Sequence, residues 1–232
     1  MNQRPLRGLH ALAVTLLFSA SGCHPASSGL GPMTSGASAG ATSASSSALA
    51  AALAPVFAQA EREAGGTLGA AVLHLESGES ASYHGRERFP MQSVFKLPLA
   101  IDIFARGYLD DARDTATPEA MAGLLARVHW QDLLKKSSAA RLVAILERVG
   151  TGKDRLKGLL PAGTPVAHKT GTSDETDGVT ATVNDVGIIT LPGGAGHVVV
   201  VAFLSGSRGD AAARAHAIAQ LGRAVFDHFA PR

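Results

Sequence analysis

The order of regular segments at the two ends of the chain constrains its fold most strongly. Residues 178–207 contain two apolar stretches separated by Leu-Pro-Gly-Gly-Ala-Gly, which predicts two strands joined by a turn. Apolar residues at helical spacing follow over residues 209–229. Residues 48–66 predict a helix that starts or breaks near Pro55, and residues 67–85 predict two more strands. The sequence therefore predicts an α/β (α+β) fold, in which N- and C-terminal helices flank an antiparallel sheet.

The segment between these ends, residues 94–150, is predicted to be helical. Pro118 and Glu119 occupy first-turn positions that favour a helix N-terminus. A second stretch runs from Ser137 to Gly150, with a serine cap at its start and a glycine at its end. We refer to residues 94–150 as the helical segment.

Residues 1–22 have the pattern of an export signal, because two arginines precede an apolar stretch too short to span a membrane. Cys23, the only cysteine, follows Ala-Ser-Gly as in bacterial lipoprotein signals. It is therefore either lipidated or close to a plain cleavage point. Residues 23–47 are rich in Ser, Ala and Gly and predict a flexible tether before a folded domain over residues 48–232. The expected location is the periplasm, with or without a lipid anchor in the membrane.

The charge balance argues against nucleic acid as a partner. The chain has 21 basic and 19 acidic residues, and removing the export signal would take two arginines with it. A folded part with almost no net charge lacks the basic surface that nucleic-acid binding requires. We expect a monomer without a nucleic-acid partner.

A serine and a lysine stand three positions apart in the stretch FPMQSVFK, as Ser93 and Lys96. On a helix the two side chains share a face, so a neutral Lys96 amine could accept the proton of the Ser93 hydroxyl. Chance predicts about 0.5 such pairs in a chain of this composition. Taken alone, the pair is more commonly a serine cap followed by a surface lysine.

A second motif changes this interpretation. Residues 168–173, HKTGTS, contain the only Lys-Thr-Gly of the chain, for which chance predicts about 0.04 occurrences. The motif stands directly before a predicted edge strand, where backbone N–H groups and a cation could hold a carboxylate. The two motifs together favour a nucleophile at Ser93.

The two motifs, in this order, resemble those of the serine penicillin-recognising enzymes, and nearly all of the chain after the tether resembles the class A β-lactamases. Four stretches carry the resemblance: FPMQSVFKLPLA, DARDTATPEAM, RLKGLLPAGTPVAHKTGTS and NDVGIITLP. A D-Ala-D-Ala peptidase would share the first two motifs, whereas DARDTATPEAM and NDVGIITLP favour the lactamases. By this resemblance Ser93 is the acylated nucleophile and Lys96 is a base or proton relay. The N–H groups of Ser93 and Thr172 would form the oxyanion hole.

The resemblance also implies the substrate side of the site. Lys169 and Thr170 would bind the carboxylate of a small β-lactam, and Gly171 would let the substrate backbone approach the strand. Class A enzymes use neither a metal nor an organic cofactor. The sequence shows no ligand spacing among its histidines, which we interpret as structural or solvent-facing: His74, His84, His129, His168 and His197.

The chain departs from the family pattern at two signatures, a Ser-Asp-Asn loop and a Glu-x-x-Leu-Asn segment whose glutamate activates the deacylating water. Both require asparagine, and the chain contains only Asn2 and Asn184. The separation of Ser93 and Lys169 is also about half of that expected. One internal deletion near residues 108–111 would explain both observations and would leave the helical segment as the remnant of a larger lobe.

Two consequences are expected. The helix after Ser93 is apolar nearly all round, so loss of its neighbours would expose part of it. Turnover would be impaired, which leaves two alternatives, a slow hydrolase and a protein that binds β-lactams without releasing them. Three carboxylates are candidate replacements for the missing glutamate, although each is more simply a solvated surface group: Asp110, Glu119 and Glu175.

Overall fold

The computed structural model describes residues 37–105 and 115–231. The predicted export signal, Cys23, Asp110 and the junction near residues 108–111 lie outside the described residues. Within them, no helix combines the length and apolar character needed to cross a membrane.

The described chain contains helices α1–α5, strands β1–β8 and a 3-10 turn at Gln92–Phe95. The bounds are α1 (Ala37–Ala64), β1 (Thr67–His74), β2 (Ser80–Tyr83), β3 (Phe89–Pro90), α2 (Lys96–Ala105), β4 (Thr115–Ala116), α3 (Pro118–His129), α4 (Lys136–Glu147), β5 (Val166–Thr172), β6 (Glu175–Thr176), β7 (Val179–Thr190), β8 (His197–Ser207) and α5 (Ala211–Phe229).

The main sheet has the strand order β2-β1-β8-β7-β5, with β6 paired to β7, and every pairing is antiparallel. Strands β3 and β4 form a separate two-stranded ribbon. The strands predicted at both ends of the chain and the C-terminal helix are therefore confirmed. The predicted antiparallel sheet with flanking helices is confirmed as well.

The sheet is buried on both faces, and β8 shows why. Residues 198–204 of this strand form an unbroken apolar run, which is typical of a strand with protein on each side. Val198 and Val200 belong to one apolar cluster with residues of α1 and α5. Val199 and Val201 belong to a second cluster with residues of α2, α3 and α4. The fold therefore has three layers, with the sheet in the middle.

Helix α1 corrects two expectations. It runs without a break through Pro55 and begins at Ala37, within the residues predicted to be a tether. A buried stripe stabilises it: Leu49, Leu53, Phe57, Ala60 and Ala64, spaced three and four residues apart, face the sheet and α5. Each large apolar side chain buried in this way contributes about 1.5–3 kcal/mol, which offsets the cost of a proline inside the helix.

The helical segment contains α2, α3 and α4, as predicted, but the predicted serine cap of α4 is wrong, because this helix begins at Lys136 and no side chain caps it. At the start of α3, the Thr117 hydroxyl accepts a hydrogen bond of 3.2 Å from the Ala120 N–H, and Pro118 occupies the first turn. In the helix after Ser93, Leu97 and Ile101 are buried, whereas Phe95 is 38% exposed. Leu97 and Ile101 pack into the same apolar cluster as residues of α3 and α4, and the exposed Phe95 side chain belongs to the 3-10 turn that precedes α2.

Candidate active site

Ser93 lies in the 3-10 turn that leads directly into α2. The backbone N–H of Lys96, the first residue of α2, donates to the carbonyl groups of Ser93 and Val94. Gln92, immediately before the serine, has a φ of 49°, in the left-handed region. A non-glycine residue in this region costs about 1–2 kcal/mol, and such strain is common at functional sites. Nothing in the sequence predicts this backbone strain, because glutamine has no special preference for a positive φ.

The buried side chain of Asn184, on β7, holds this turn in place. Its amide nitrogen donates to the Pro90 carbonyl at 2.8 Å and to the Met91 carbonyl at 3.1 Å, and its oxygen accepts from the Leu204 N–H at 3.3 Å. One amide therefore joins the chain just before Ser93 to two central strands. The sequence analysis noticed Asn184 only as one of two asparagines, and the stretch NDVGIITLP was the available signal.

The Lys-Thr-Gly motif lies within β5, not before a strand as predicted. Strand β5 is itself the edge of the main sheet and pairs with β7, so that Lys169 stands opposite Val186. The prediction failed because this pairing, rather than local propensity, makes residues 166–172 a strand.

The structure brings the Lys-Thr-Gly strand against the serine turn. A Cβ atom added at Gly171 would lie 2.5 Å from the Met91 carbonyl oxygen and 3.2 Å from the Ser93 nitrogen. The glycine is therefore required for close approach of the serine turn to β5. The predicted approach of a substrate at the same residue stays a prediction.

We expect the substitution Gly171→Ala to destabilise the protein by about 1–3 kcal/mol, because the added methyl group must push the serine turn away from β5. Urea denaturation measures the change in the free energy of unfolding. The matched control is Gly123→Ala on α3, where no atom lies within 4 Å of the added Cβ. That change should leave stability unchanged or raise it by up to about 1 kcal/mol. Equal effects of the two substitutions would contradict the packing argument.

Three positively charged side chains, those of Lys96, Arg155 and Lys169, lie on or near β5. The Lys169 amine donates to the Thr170 carbonyl at 2.6 Å, and burial, the charge of Lys96 and the charge of Arg155 lower the pKa of Lys169. The Arg155 guanidinium donates to the Asn184 carbonyl at 2.8 Å and to the Thr172 hydroxyl at 2.7 Å. A positive site of this kind favours an anionic substrate group. Arg155 was not predicted as a site residue, although it opens the stretch RLKGLLPAGTPVAHKTGTS.

The geometry of Ser93 and Lys96 is looser than the sequence predicted. Ser93 is half-buried and Lys96 is exposed. Within the described ranges, no hydrogen bond joins the serine hydroxyl to the lysine amine. The base or relay role of Lys96 therefore stays a prediction.

A buried, hydrogen-bonded pair of side chains lies beside the Lys-Thr-Gly motif. His168 Nδ1 lies 2.8 Å from Asp185 Oδ1, with both side chains fully buried, and Asp185 Oδ2 accepts from the Leu156 N–H at 3.2 Å. Burial raises the pKa of Asp185, and the hydrogen bond from His168 opposes this rise. The pair joins β5, β7 and the loop before β5.

The carboxylates named as replacements have other partners. Glu119 accepts from the Ser82 hydroxyl at 2.8 Å and lies 3.5 Å from the Arg86 guanidinium. Glu175 pairs with Arg214 at 3.7 Å. Among the described residues, no carboxylate is hydrogen-bonded to Ser93.

The sequence showed no ligand spacing among the histidines, but the structure places two of them close together. His129 and His197 lie beside each other and close to Glu76, at a spacing suited to a metal ion. The sequence could not show this, because the three residues come from distant parts of the chain.

The fold and the serine turn beside the Lys-Thr-Gly strand define the arrangement that the class A resemblance implies. A family model described as the beta-lactamase enzyme family matches residues 48–110 and 106–229. The chain therefore belongs to the β-lactamase enzyme family, as the motifs predicted.

Sequence relatives agree over part of the chain. Beta-lactamase VEB-1 of Pseudomonas aeruginosa is 49% identical over 81 residues, which are 34% of this chain and 27% of the relative. Extended-spectrum beta-lactamase PER-1 of the same organism is 42% identical over 105 residues, 45% of this chain and 34% of the relative. The matches thus span about a quarter to a third of the length of these curated relatives.

Solved structures match more of the chain. A beta-lactamase from Chitinophaga pinensis DSM 2588 has a TM-score of 0.71 and 28% identity, covering 77% of this chain and 99% of that chain. The ancestral GNCA class A beta-lactamase has a TM-score of 0.67 and 28% identity, covering 78% and 100%. The fold is therefore that of class A β-lactamases.

Proposed function

We propose that this protein reacts with β-lactams through an acyl-enzyme at Ser93, as a serine hydrolase of the class A type. The observation that carries the proposal is the packing of the serine turn directly on the Lys-Thr-Gly strand at Gly171. The names of the sequence relatives, all β-lactamases, support the substrate class.

Acylation would proceed by attack of the Ser93 hydroxyl oxygen on the β-lactam carbonyl carbon. The C–N bond of the ring breaks, and the serine proton passes through Lys96 to the ring nitrogen. The N–H groups of Ser93 and Thr172 would stabilise the developing oxyanion. Lys169 and Thr170 would hold the substrate carboxylate, which suits the positive charge around β5. Water would then hydrolyse the serine ester.

We also propose that the chain lacks an internal segment near residues 108–111. The two matches to the family model meet at residues 106–110. Neither asparagine of the chain can supply the missing signatures, since Asn2 precedes the fold and the Asn184 amide is bonded to the turn before Ser93. Resequencing the gene across this junction tests the proposal, and an unbroken coding sequence that restores both signatures would show a sequence error instead.

The missing signatures favour a second candidate function, that of a β-lactam-binding protein that releases its adduct very slowly or not at all. Acylation requires the serine, a proton acceptor and the oxyanion hole. Deacylation additionally requires a base that activates water. The same chain can therefore retain the first step and lose most of the second.

We expect intact-protein mass spectrometry after benzylpenicillin exposure to show one covalent adduct per chain. The adduct should be absent from the Ser93→Ala protein, because the attacking oxygen is removed. Ser137→Ala, an exposed serine on α4, is the matched control and should retain the adduct. In the same assay, Lys169→Met should form the adduct about 10- to 100-fold more slowly, since a charge-assisted hydrogen bond to the substrate is lost. An adduct that persists in Ser93→Ala would refute the proposed function, as would an unsubstituted protein that shows neither an adduct nor hydrolysis of benzylpenicillin.

For localisation, we propose an exported protein with a lipid anchor at Cys23. The support is the pattern of residues 1–23, in which a short apolar stretch and small residues precede the only cysteine. We expect the protein to fractionate with membranes and the Cys23→Ser protein to be released into the soluble periplasmic fraction. Identical fractionation of the two would contradict anchoring at this residue.

A further inference from the structure

Three side chains from separate elements meet at one end of the main sheet. Glu76 lies in the turn after β1, His129 is the last residue of α3, and His197 is the first residue of β8. One ligand atom of each, a carboxylate oxygen and two imidazole nitrogens, lies within 4.8 Å of the other two. The set is far more specific than a cluster of acidic groups, because it combines two imidazoles with a single carboxylate.

We propose that Glu76, His129 and His197 bind a divalent transition-metal ion, with Zn²⁺ the best match. Zinc is commonly held by two histidines and one glutamate, with the remaining coordination position open to water or another ligand. Calcium and magnesium prefer oxygen ligands, so the two imidazoles select against them. This site is independent of the proposed reaction at Ser93.

Two of the three proposed ligands, Glu76 and His197, are already hydrogen-bonded to each other. Glu76 Oε1 lies 2.8 Å from His197 Nδ1, and Glu76 Oε2 accepts from the His197 backbone N–H at 2.8 Å. The backbone of His197 is fixed in turn, because its carbonyl accepts from the Leu75 N–H at 2.9 Å. A metal ion would take the place of the proton between Oε1 and Nδ1, with the imidazole proton moving to Nε2.

His129 supplies the third ligand. Its ring lies 4.3 Å from the His197 ring, centroid to centroid, and no hydrogen bond to its ring nitrogens is found among the described residues. Metal binding requires a neutral imidazole with a ring nitrogen available as the ligand.

Small side-chain movements complete the geometry. The ligand atoms of a tetrahedral zinc ion lie about 3.3 Å apart, somewhat closer than the 4.8 Å within which the present atoms fall. The side chains of Glu76 and His197 are 37% and 33% exposed, so both can adjust without disturbing the core.

His74 approaches the cluster but is not a ligand. Its Nε2 lies 3.6 Å from Glu76 Oε2, yet it donates to the Ala195 carbonyl at 2.9 Å. Its Nδ1 accepts from the Ser77 N–H at 3.2 Å. Both ring nitrogens are therefore engaged, and neither is available to bind a metal ion.

His129 and His197 also line a cavity of about 330 Å³, together with Ala167 and residues of α4 that include Glu147. Water or a small anionic ligand could complete the coordination from this cavity. Ala167 and Gly171 lie four residues apart on β5, roughly 13 Å along the strand. The cavity beside the metal site and the serine turn therefore contact opposite ends of β5.

The test is a zinc titration of the untagged full chain by isothermal calorimetry, with a competing chelator. We expect one zinc ion per chain and at least about a tenfold loss of affinity in each of Glu76→Gln, His129→Gln and His197→Gln. The control His216→Gln changes an exposed histidine on α5 that bonds only to Gln220 among the described residues. That substitution should leave the affinity unchanged.

Zinc affinity equal to that of the unsubstituted protein in all three cluster variants would overturn the proposal, as would no binding by the unsubstituted protein at 100-fold excess zinc. Circular dichroism checks that each variant is folded. If the variants fail to fold, X-ray absorption of the zinc-loaded unsubstituted protein decides the question. Two imidazole nitrogens and a carboxylate oxygen would support the site, whereas a sulfur ligand would assign the zinc to Cys23 instead.

Discussion

Hydrolysis of nitrocefin by the purified protein is expected to be about 10² to 10⁴ times slower than hydrolysis by a family member that carries the deacylating glutamate. The reason is the composition of the site. Glu119 and Glu175 are engaged elsewhere, with Ser82 and Arg214 among their partners. Water that reaches the Ser93 ester therefore meets no carboxylate base from the described residues.

Stopped-flow measurement of nitrocefin cleavage separates the two chemical steps. We expect a rapid burst of about one equivalent, from acylation, followed by a slow steady state limited by deacylation. Hydroxylamine attacks an ester without assistance from a base, so it should accelerate the steady state while leaving the burst unchanged. A kcat comparable with those of ordinary family members, without a burst, would contradict the importance of the missing glutamate.

Removal of the buried carboxylate in Asp185→Ala is expected to lower the free energy of unfolding by about 3–5 kcal/mol. The change leaves the His168 Nδ1 atom and the Leu156 N–H without their partner in a region that is fully buried. His168 Nε2 already has no hydrogen-bond partner among the described residues, so the ring would lose its remaining side-chain hydrogen bond. The loss matters for the site because His168 directly precedes Lys169.

Urea denaturation of three variants tests this prediction. Asp227→Ala is the matched control, because its carboxylate is 52% exposed and pairs with Arg223 four positions earlier. That substitution should cost no more than about 1 kcal/mol. Asp185→Asn should fall between the two, since its side-chain oxygen can still accept from the Leu156 N–H. A loss below about 1 kcal/mol in Asp185→Ala would show that the buried pair does not stabilise the fold.

The sequence predicted those elements whose signals are local. The two strand pairs predicted within residues 67–85 and 178–207 have alternating or continuous apolar patterns bounded by turn residues, and both pairs are present. Strand β5 and the unbroken helix through Pro55 depend on tertiary contacts instead. Pairing with β7 makes the first a strand, and burial against the sheet and α5 maintains the second.

The candidate site likewise combines features that the sequence predicted with features that it did not. The proximity of Ser93 to the Lys-Thr-Gly motif followed from the family resemblance and is present in the structure. The hydrogen bonds of the Asn184 side chain could not be predicted, because they join residues up to 94 positions apart. The grouping of Glu76, His129 and His197 was missed for the same reason, since residues without local spacing carry no joint signal until the chain has folded.

The position of β8 also determines when the fold can form. Strand β1, made early, pairs along its whole length with β8, from Thr67 opposite Ser205 to His74 opposite Val198. Helix α1 likewise shares its apolar cluster with α5 at the other end of the chain. Such distant pairings fold slowly, because a long loop must close before any contact compensates for its entropy. The sheet therefore cannot close until β7 and β8, near the C-terminus, have been made. Until then, β1 is paired only with β2, and its other edge has no partner strand. That delay is compatible with the export proposed above, because an exported chain crosses the membrane before it folds.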